Sequence, residues 1–202
     1  EGLIDGQDPD GMREAYRDSL EQGEVVVREF LRGSRTGYEA HWEQYLNARP
    51  NESVDTRVSL DRLQRLGAKA IQVPDGFELQ RGVARVVAER EGMLGQEKPM
   101  DWGMAELLAY ASLLDDGYAI RLSGQDSIRG TFAHRHAAYH DQKTYKTHFP
   151  LTELSADQPR FEVINSLLSE LAVLGFEYGY ATSSPNTLVI WEAQFGDFSN
   201  GA

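Results

Sequence analysis

The 202-residue chain contains no cysteine. That excludes disulfides, thiolate metal sites and a cysteine nucleophile, and it fits a reducing compartment. No apolar run approaches the roughly 18 residues of a membrane-spanning helix. The first residues are acidic, unlike the basic start of a secretory leader. Positive charge is scarce, with 20 Lys and Arg against 32 Asp and Glu, a formal net charge of −12. A general nucleic-acid surface needs a basic patch, so neither nucleic acid nor membrane is expected as a partner. The P-loop, GxGxxG, HExxH, GxSxG and paired-Cys zinc patterns are all absent from the sequence. An apolar content of 41% and a charged content of 26% are those of an ordinary globular protein with a sizeable core. The chain begins at Glu1 rather than Met, and an internal fragment or a processed product is expected.

The first hundred residues predict helices joined by polar loops. Asp8-Pro9 is a helix-start signal, and Met12, Tyr16 and Leu20 follow at four-residue spacing. Val25 to Leu31 is apolar, and Gly33 ends that segment. Gly37 to Arg57 is a loop carrying Trp42, Tyr45 and Leu46. Ser59 is expected to cap a helix with Leu60, Leu63 and Leu66 inward. Pro74-Asp75-Gly76 is a turn, and a third helix is expected from about Glu78 to Glu91. From Lys98-Pro99 the character changes. Trp102 to Leu114 predicts an apolar helix stopped by Asp115-Asp116-Gly117. Tyr118 to Ser123 and Phe161 to Ile164 predict strands, and Thr187 to Ile190 a buried one. Leu167 to Tyr180 is apolar nearly all round, which predicts a buried helix. The alternation of helix and strand gives an α/β fold with a parallel sheet. Residues 1–99 form a helical lead-in, and residues 100–202 the α/β part.

Three groups of residues are candidates for chemistry. Trp191 to Phe198 packs three aromatic rings, two acids and Gln194 into eight residues at the end of a strand. Aromatic faces stack on a flat heterocycle, and polar groups address its edge. Glu170 stands among Leu167, Leu168, Leu171, Val173 and Leu174. It is either a helix-start acid favoured by the dipole or a buried acid that holds a proton and donates it to a ring nitrogen. Glu177, seven residues on, is expected to be a structural or interface acid. Ala172, Gly175 and Gly179 remove bulk from the same helix and suit close helix packing. The third group is the aperiodic stretch from Gly124 to Thr147. It leaves a strand end, where open α/β sheets bind ligands. Gly124 and Gly130 give it backbone freedom. Gln125 and Asp126 can address a ligand edge, and His134 and His136 can act as acid, base or anion partner. His134-x-His136 lacks a further ligand at helical spacing, so no metal ligand is assigned. His140 and His148 are expected to be structural, and His41 is unassigned.

The segments DWGMAELLAYASLLDDGYAIRLSGQDSIRGTFAHRHAAYHDQ, INSLLSELAVLGFEYGYA and WEAQFGDFSNGA together resemble the thiamine-diphosphate-dependent first component of the 2-oxoglutarate dehydrogenase complex. REAYRDSLEQGEVVV and WEQYLN resemble the linker region before that family's second catalytic domain. The resemblance implies a transketolase-like fold, with residues 100–202 the first part of a pyrimidine-binding domain. It implies oxidative decarboxylation of 2-oxoglutarate, with transfer of the succinyl group to the lipoyl group of the succinyltransferase component, in the tricarboxylic acid cycle. A homodimer is implied, in the bacterial cytoplasm or the mitochondrial matrix. Glu170 matches the glutamate that hydrogen-bonds the aminopyrimidine ring and promotes its imino tautomer. Phe195 and Phe198 match the aromatic wall, Gln125 and Gln194 match further contacts, and His134 and His136 fall in the loop that closes over the site. The family's Gly-Asp-Gly and later Asn, which hold diphosphate and magnesium, are not in this sequence, so those ligands are expected outside it. The alternatives are a 2-oxoadipate decarboxylase of the same type and a non-catalytic assembly fragment.

Overall fold

The computed structural model describes residues 9–24, 42–46 and 53–200, without the side chains of Pro9, Phe198 and Asn200. The apolar cluster Val25–Leu31 and His41 lie outside the described residues. The chain divides into two units, residues 1–39 and 40–202. Within the first, helix α1 spans Pro9–Glu21. Its apolar residues Met12, Tyr16 and Leu20 are each about half exposed, at 47%, 50% and 53%.

The second unit is built on a three-stranded parallel sheet. Its strands are β1 (Ala119–Gly124), β4 (Phe161–Asn165) and β5 (Thr187–Glu192), in the order β4-β1-β5. β1 and β5 pair directly in parallel register, Leu122 opposite Ile190, as the expected parallel sheet requires of neighbouring strands. Alternation along β1 sorts its side chains onto two faces. Ile120 and Leu122 are buried on one face, whereas Arg121 reaches helix α5 (Glu170–Ser183) on the other. A separate two-residue ladder joins β2 (Tyr139–His140) and β3 (Thr147–His148).

The core lies between the sheet and the helices α2 (Leu60–Ala70) and α4 (Trp102–Asp115). Leu66, Met104, Leu107, Leu108, Ala111, Leu114, Ile120 and Phe161 meet there, closed at one end by Leu151 and Leu154. Asp101 caps α4 by accepting the Met104 N–H at 2.7 Å. Gly117, at φ +91, ends the connection that follows the helix. Arg62 of α2 bonds Asp115 at 2.8 Å and Asp116 at 2.6 Å, tying the end of α4 to its neighbour. Helix α3 spans Arg81–Leu94, three residues later than the apolar stripe predicts, because the Gln80 side chain accepts the Gly82 N–H and sets the start.

Four expectations need correction. Ser59 stands before α2 but makes no side-chain capping bond. Leu60, the first residue of α2, is 51% exposed rather than inward. β5 is an edge strand and only half-buried. Helix α5 begins at Glu170, not Leu167, and only Val173 and Glu177 on it are buried. A helix apolar on every side is buried only if layers cover both sides, and in this unit the sheet covers one.

Candidate active site

The carboxyl ends of the three strands are level. Gly124 is in register with Asn165 on one side and Glu192 on the other. Chains leave this row as loops, and the loops carry most of the candidate residues. Asn165 accepts the Ile128 N–H at 2.9 Å, which pins the start of the Gly124–Ala137 loop. Glu192 accepts both the N–H and the hydroxyl of Thr131, each at 3.1 Å. Gln194 donates from Nε2 to the Thr131 hydroxyl at 2.9 Å and to the Gln125 carbonyl at 3.2 Å.

Arg135 is the hub of this edge, with only 6% of its surface exposed. It forms a fork with Glu106 of α4, at 2.6 and 3.1 Å, a short ion pair with Glu192, and a bond to the Ser127 carbonyl at 2.6 Å. Burial of Glu192 opposes its ionisation, but the Thr131 N–H and the Arg135 guanidinium outweigh that and hold it below the ordinary carboxylate range. One helix, one loop and one strand end are thereby locked through a single cation.

Glu170 occupies the first turn of α5 and borders a cleft of about 340 Å³ at this carboxyl edge. Gln125, Asp126, Trp191, Glu192 and Gln194 border the same cleft, together with Leu167 and Leu168. So Glu170, Gln125 and Gln194 are brought together. Phe195 is not: it is 75% exposed and lies across the edge in a second cavity with Phe132, His134 and Arg135. Phe132 meets Phe195 edge to face at 6.3 Å and tilts against His134 at 6.3 Å. The Phe198 side chain lies outside the described residues; its backbone belongs to the short helix α6 (Asp197–Asn200). His136 faces a third cavity, with Gln80, Arg129 and His140. Burial, and then the charges of Arg90, Arg129 and His134, push its pKa below the ordinary histidine value.

Glu177 is buried and takes a two-point bond from Arg121, at 2.8 and 3.0 Å. That guanidinium also lies 5.1 Å from the Phe176 ring and 4.8 Å from the Tyr180 ring. Glu177 thus fastens α5 to β1. His140 bonds the Thr147 hydroxyl at 2.9 Å, and His148 packs on Phe77 and Tyr139. Among the described residues no group of three or more His, Cys, Asp or Glu is placed to hold a metal ion. No described helix is long and apolar enough to cross a membrane. The sequence reading missed Arg135, Glu106 and Thr131. Arg135 is 29 residues from Glu106 and 57 from Glu192, so no local spacing links them. The available signal was a charged residue flanked by two histidines already singled out.

Residues 98–202 match the family model described as the transketolase pyrimidine binding domain. The whole chain is 46% identical over 202 residues to the 2-oxoglutarate dehydrogenase E1 component of Azotobacter vinelandii, covering 21% of that protein. It is 46% identical over 200 residues to the E1 component of Coxiella burnetii, with 99% of the chain and 21% of the relative covered. It is 43% identical over 199 residues to the mitochondrial 2-oxoglutarate dehydrogenase of Dictyostelium discoideum, with 95% and 19% covered. The chain therefore spans about a fifth of the length of these relatives.

Proposed function

The chain belongs to the transketolase pyrimidine-binding domain family, and from that premise we propose that it supplies the pyrimidine wall of a thiamine-diphosphate site in a 2-oxoglutarate dehydrogenase E1 component. Residues 100–202 are then the first part of that domain, and residues 1–99 a helical lead-in. The single observation that carries the reading is the placement of Glu170 at a helix start, opening with Gln125 and Gln194 on one cleft at the carboxyl edge of a parallel sheet.

The residues present fit the aminopyrimidine end of the cofactor. The cleft is large enough for one heteroaromatic ring and divides its lining between apolar groups, Leu167, Leu168 and Trp191, and polar ones, Glu170, Gln125 and Gln194. When bound, thiamine diphosphate supplies an electron sink for loss of carbon dioxide from a 2-oxo acid. The protein's own part is positional. Glu170, at the first turn of α5, shares a proton with a ring nitrogen. Gln194, fixed by Thr131 and by the Gln125 carbonyl, keeps that side of the cleft polar and ordered. Diphosphate and Mg²⁺ ligands belong to other parts of the protein. His134 lines the neighbouring cavity with Phe195, on the loop that carries Gln125, as a closing and acid–base group, and His136 helps to seat that loop.

The partner proposed for α5 is a second copy of the protein. Leu171 and Tyr178 on α5 are 80% and 71% exposed, and Leu167 in the loop before it is 100% exposed. A Cβ on Gly175 or Gly179 would meet nothing within 4 Å, so the backbone there is open to close approach. A face this apolar marks an interface, and symmetric pairing of one patch is the commonest way to cover it. The succinyltransferase component is the expected acceptor of the acyl group, and the compartment is the cytoplasm of a bacterium or the mitochondrial matrix.

The test is carbon dioxide release from 2-oxoglutarate by the full-length protein that carries this chain, with and without thiamine diphosphate and Mg²⁺. Cofactor-dependent turnover that prefers 2-oxoglutarate to 2-oxoadipate is expected. Preference for 2-oxoadipate would move the substrate assignment, and no turnover of either would remove the enzymatic reading.

A further inference from the structure

Arg90 lies on α3, outside the matched stretch of residues 98–202, and only 3% of it is exposed. A guanidinium so buried normally faces a carboxylate. Among the described residues Arg90 makes no ion pair. It spends one nitrogen, Nη2, on two consecutive carbonyls, those of His134 at 2.9 Å and Arg135 at 2.6 Å. The two hydrogens of that nitrogen suffice for two acceptors. Its Nη1 is buried without a partner, as is the nearby Tyr139 hydroxyl. Without a carboxylate, the two carbonyl bonds are what offsets the cost of burying this cation, so the guanidinium and that stretch of backbone depend on each other.

That backbone is under strain. Ala133 and His136 lie in the left-handed region, at φ +53 and +44, although neither is glycine. Such conformations persist only where the surroundings over-determine them. Three contacts do so around His134. Arg90 takes its carbonyl from one side. Gly103, in the first turn of α4, meets the same carbonyl so closely that a Cβ there would lie 2.5 Å from the oxygen. Gly130 makes room for the imidazole, since a Cβ there would lie 2.5 Å from Cε1 of His134. The two neighbouring residues complete the arrangement: Arg135 reaches Glu106 and Glu192, and His134 Nε2 stands 3.3 Å from Arg135.

We propose that Arg90 is a positioning residue of the candidate active site, holding the His134–Arg135 backbone so that the imidazole lies against Phe132 and the guanidinium reaches the acids at the strand edge. It acts through the loop and touches no substrate. The proposal rests on the reading of His134 as a working group of this site. It makes α3 part of the site's frame and not merely a tether.

The experiment uses the full-length protein with Arg90→Met, Arg90→Lys, His134→Asn and the Arg90→Met/His134→Asn pair. Amide hydrogen exchange is read first. Arg90→Met is expected to lower protection of residues 129–137 on the order of 10-fold or more while α4 and β1 keep theirs. Turnover with saturating cofactor should fall about 10-fold or more in kcat with KM within about 2-fold, the scale for a misplaced reacting group. Arg90→Lys should recover part of both losses. In the His134→Asn background Arg90→Met should add less than about 2-fold, because both changes act on one group. Unchanged loop protection, protection lost through α4 and β1 as well, or losses that multiply in the double variant would each overturn the proposal while leaving the site reading intact. Wild-type turnover in His134→Asn would overturn the reading of that histidine, and the proposal with it. Should Arg90→Met fail to fold, Arg90→Lys carries the same comparison at a wild-type melting temperature, and full protection with full kcat there and in its His134→Asn pair would contradict the proposal.

Discussion

At the scale of single residues, the candidate site depends on one buried cation and the acids around it. Replacing Arg135 by Met would leave Glu106 and Glu192 facing each other's charge with their counter-ion gone. Breaking a buried pair in this way costs about 3–5 kcal/mol, and denaturant unfolding of the variant should show a loss of that order. A loss under 1 kcal/mol would mean that water replaces the guanidinium without penalty. Three groups make stability pH-dependent in one direction. Thr144 and the Glu78 N–H hold the Asp141 carboxyl well below its usual range, and Thr131 and Arg135 do the same for Glu192 against its burial. His136 is depressed by burial and neighbouring positive charge. For each, the unfolded chain takes up a proton at higher pH than the folded one, so stability is lost as pH falls. Stability should decline first below about pH 6.5, from His136, and again below about pH 4, from the two carboxylates. Denaturation midpoints at three pH values check this, and His136→Asn should remove only the first decline.

At the scale of elements, α5 carries an apolar face left exposed in the described unit. Its carboxyl end is held by the turn at residues 42–46: Trp42 donates to the Thr182 carbonyl at 2.8 Å, and Tyr45 and Gln44 bond Asn186 at 2.5 and 2.9 Å. Trp42→Phe removes one of these donors, and faster amide exchange is expected in the last turn of α5 but not at its Glu177 anchor. Equal exchange throughout would mean the turn does not hold the helix. The same helix shows what the sequence could and could not reveal. α4 and the three sheet strands were legible because apolar patterning marks them and, for α4, the Asp-Asp-Gly stop agrees with it. The start of α5 was not, because leucines run unbroken from the Leu167–Leu168 loop into the helix. Its burial was misjudged because apolarity states what a surface needs, not which chain supplies it. The Gly124–Ala137 loop has no period to detect. It is organised by side-chain bonds to backbone and by left-handed residues, so Arg135 and Arg90 were not legible, whereas Gln125, Glu170 and Gln194 were singled out as candidates and line one cleft.

At the scale of the whole molecule, the described unit offers a cleft at the carboxyl edge of its sheet and an exposed apolar face on α5. Residues 1–202 alone should bind thiamine diphosphate with Mg²⁺ too weakly for calorimetry to resolve, since the charged end of the cofactor contributes the strongest contacts. Submicromolar affinity would place a phosphate site within this chain. The exposed leucines of α5 should drive association, visible as concentration-dependent mass in solution, and a strictly monomeric chain would argue against the second copy as their cover. The central claim is that Glu170 works on the cofactor ring, and steady-state turnover of 2-oxoglutarate by full-length Glu170→Gln protein tests it most directly. The account predicts a wild-type fold, modestly weaker cofactor binding and turnover reduced roughly 10²-fold or more, the scale for losing a positioned proton-transfer group. Wild-type turnover in that variant, with cofactor saturating, would contradict it.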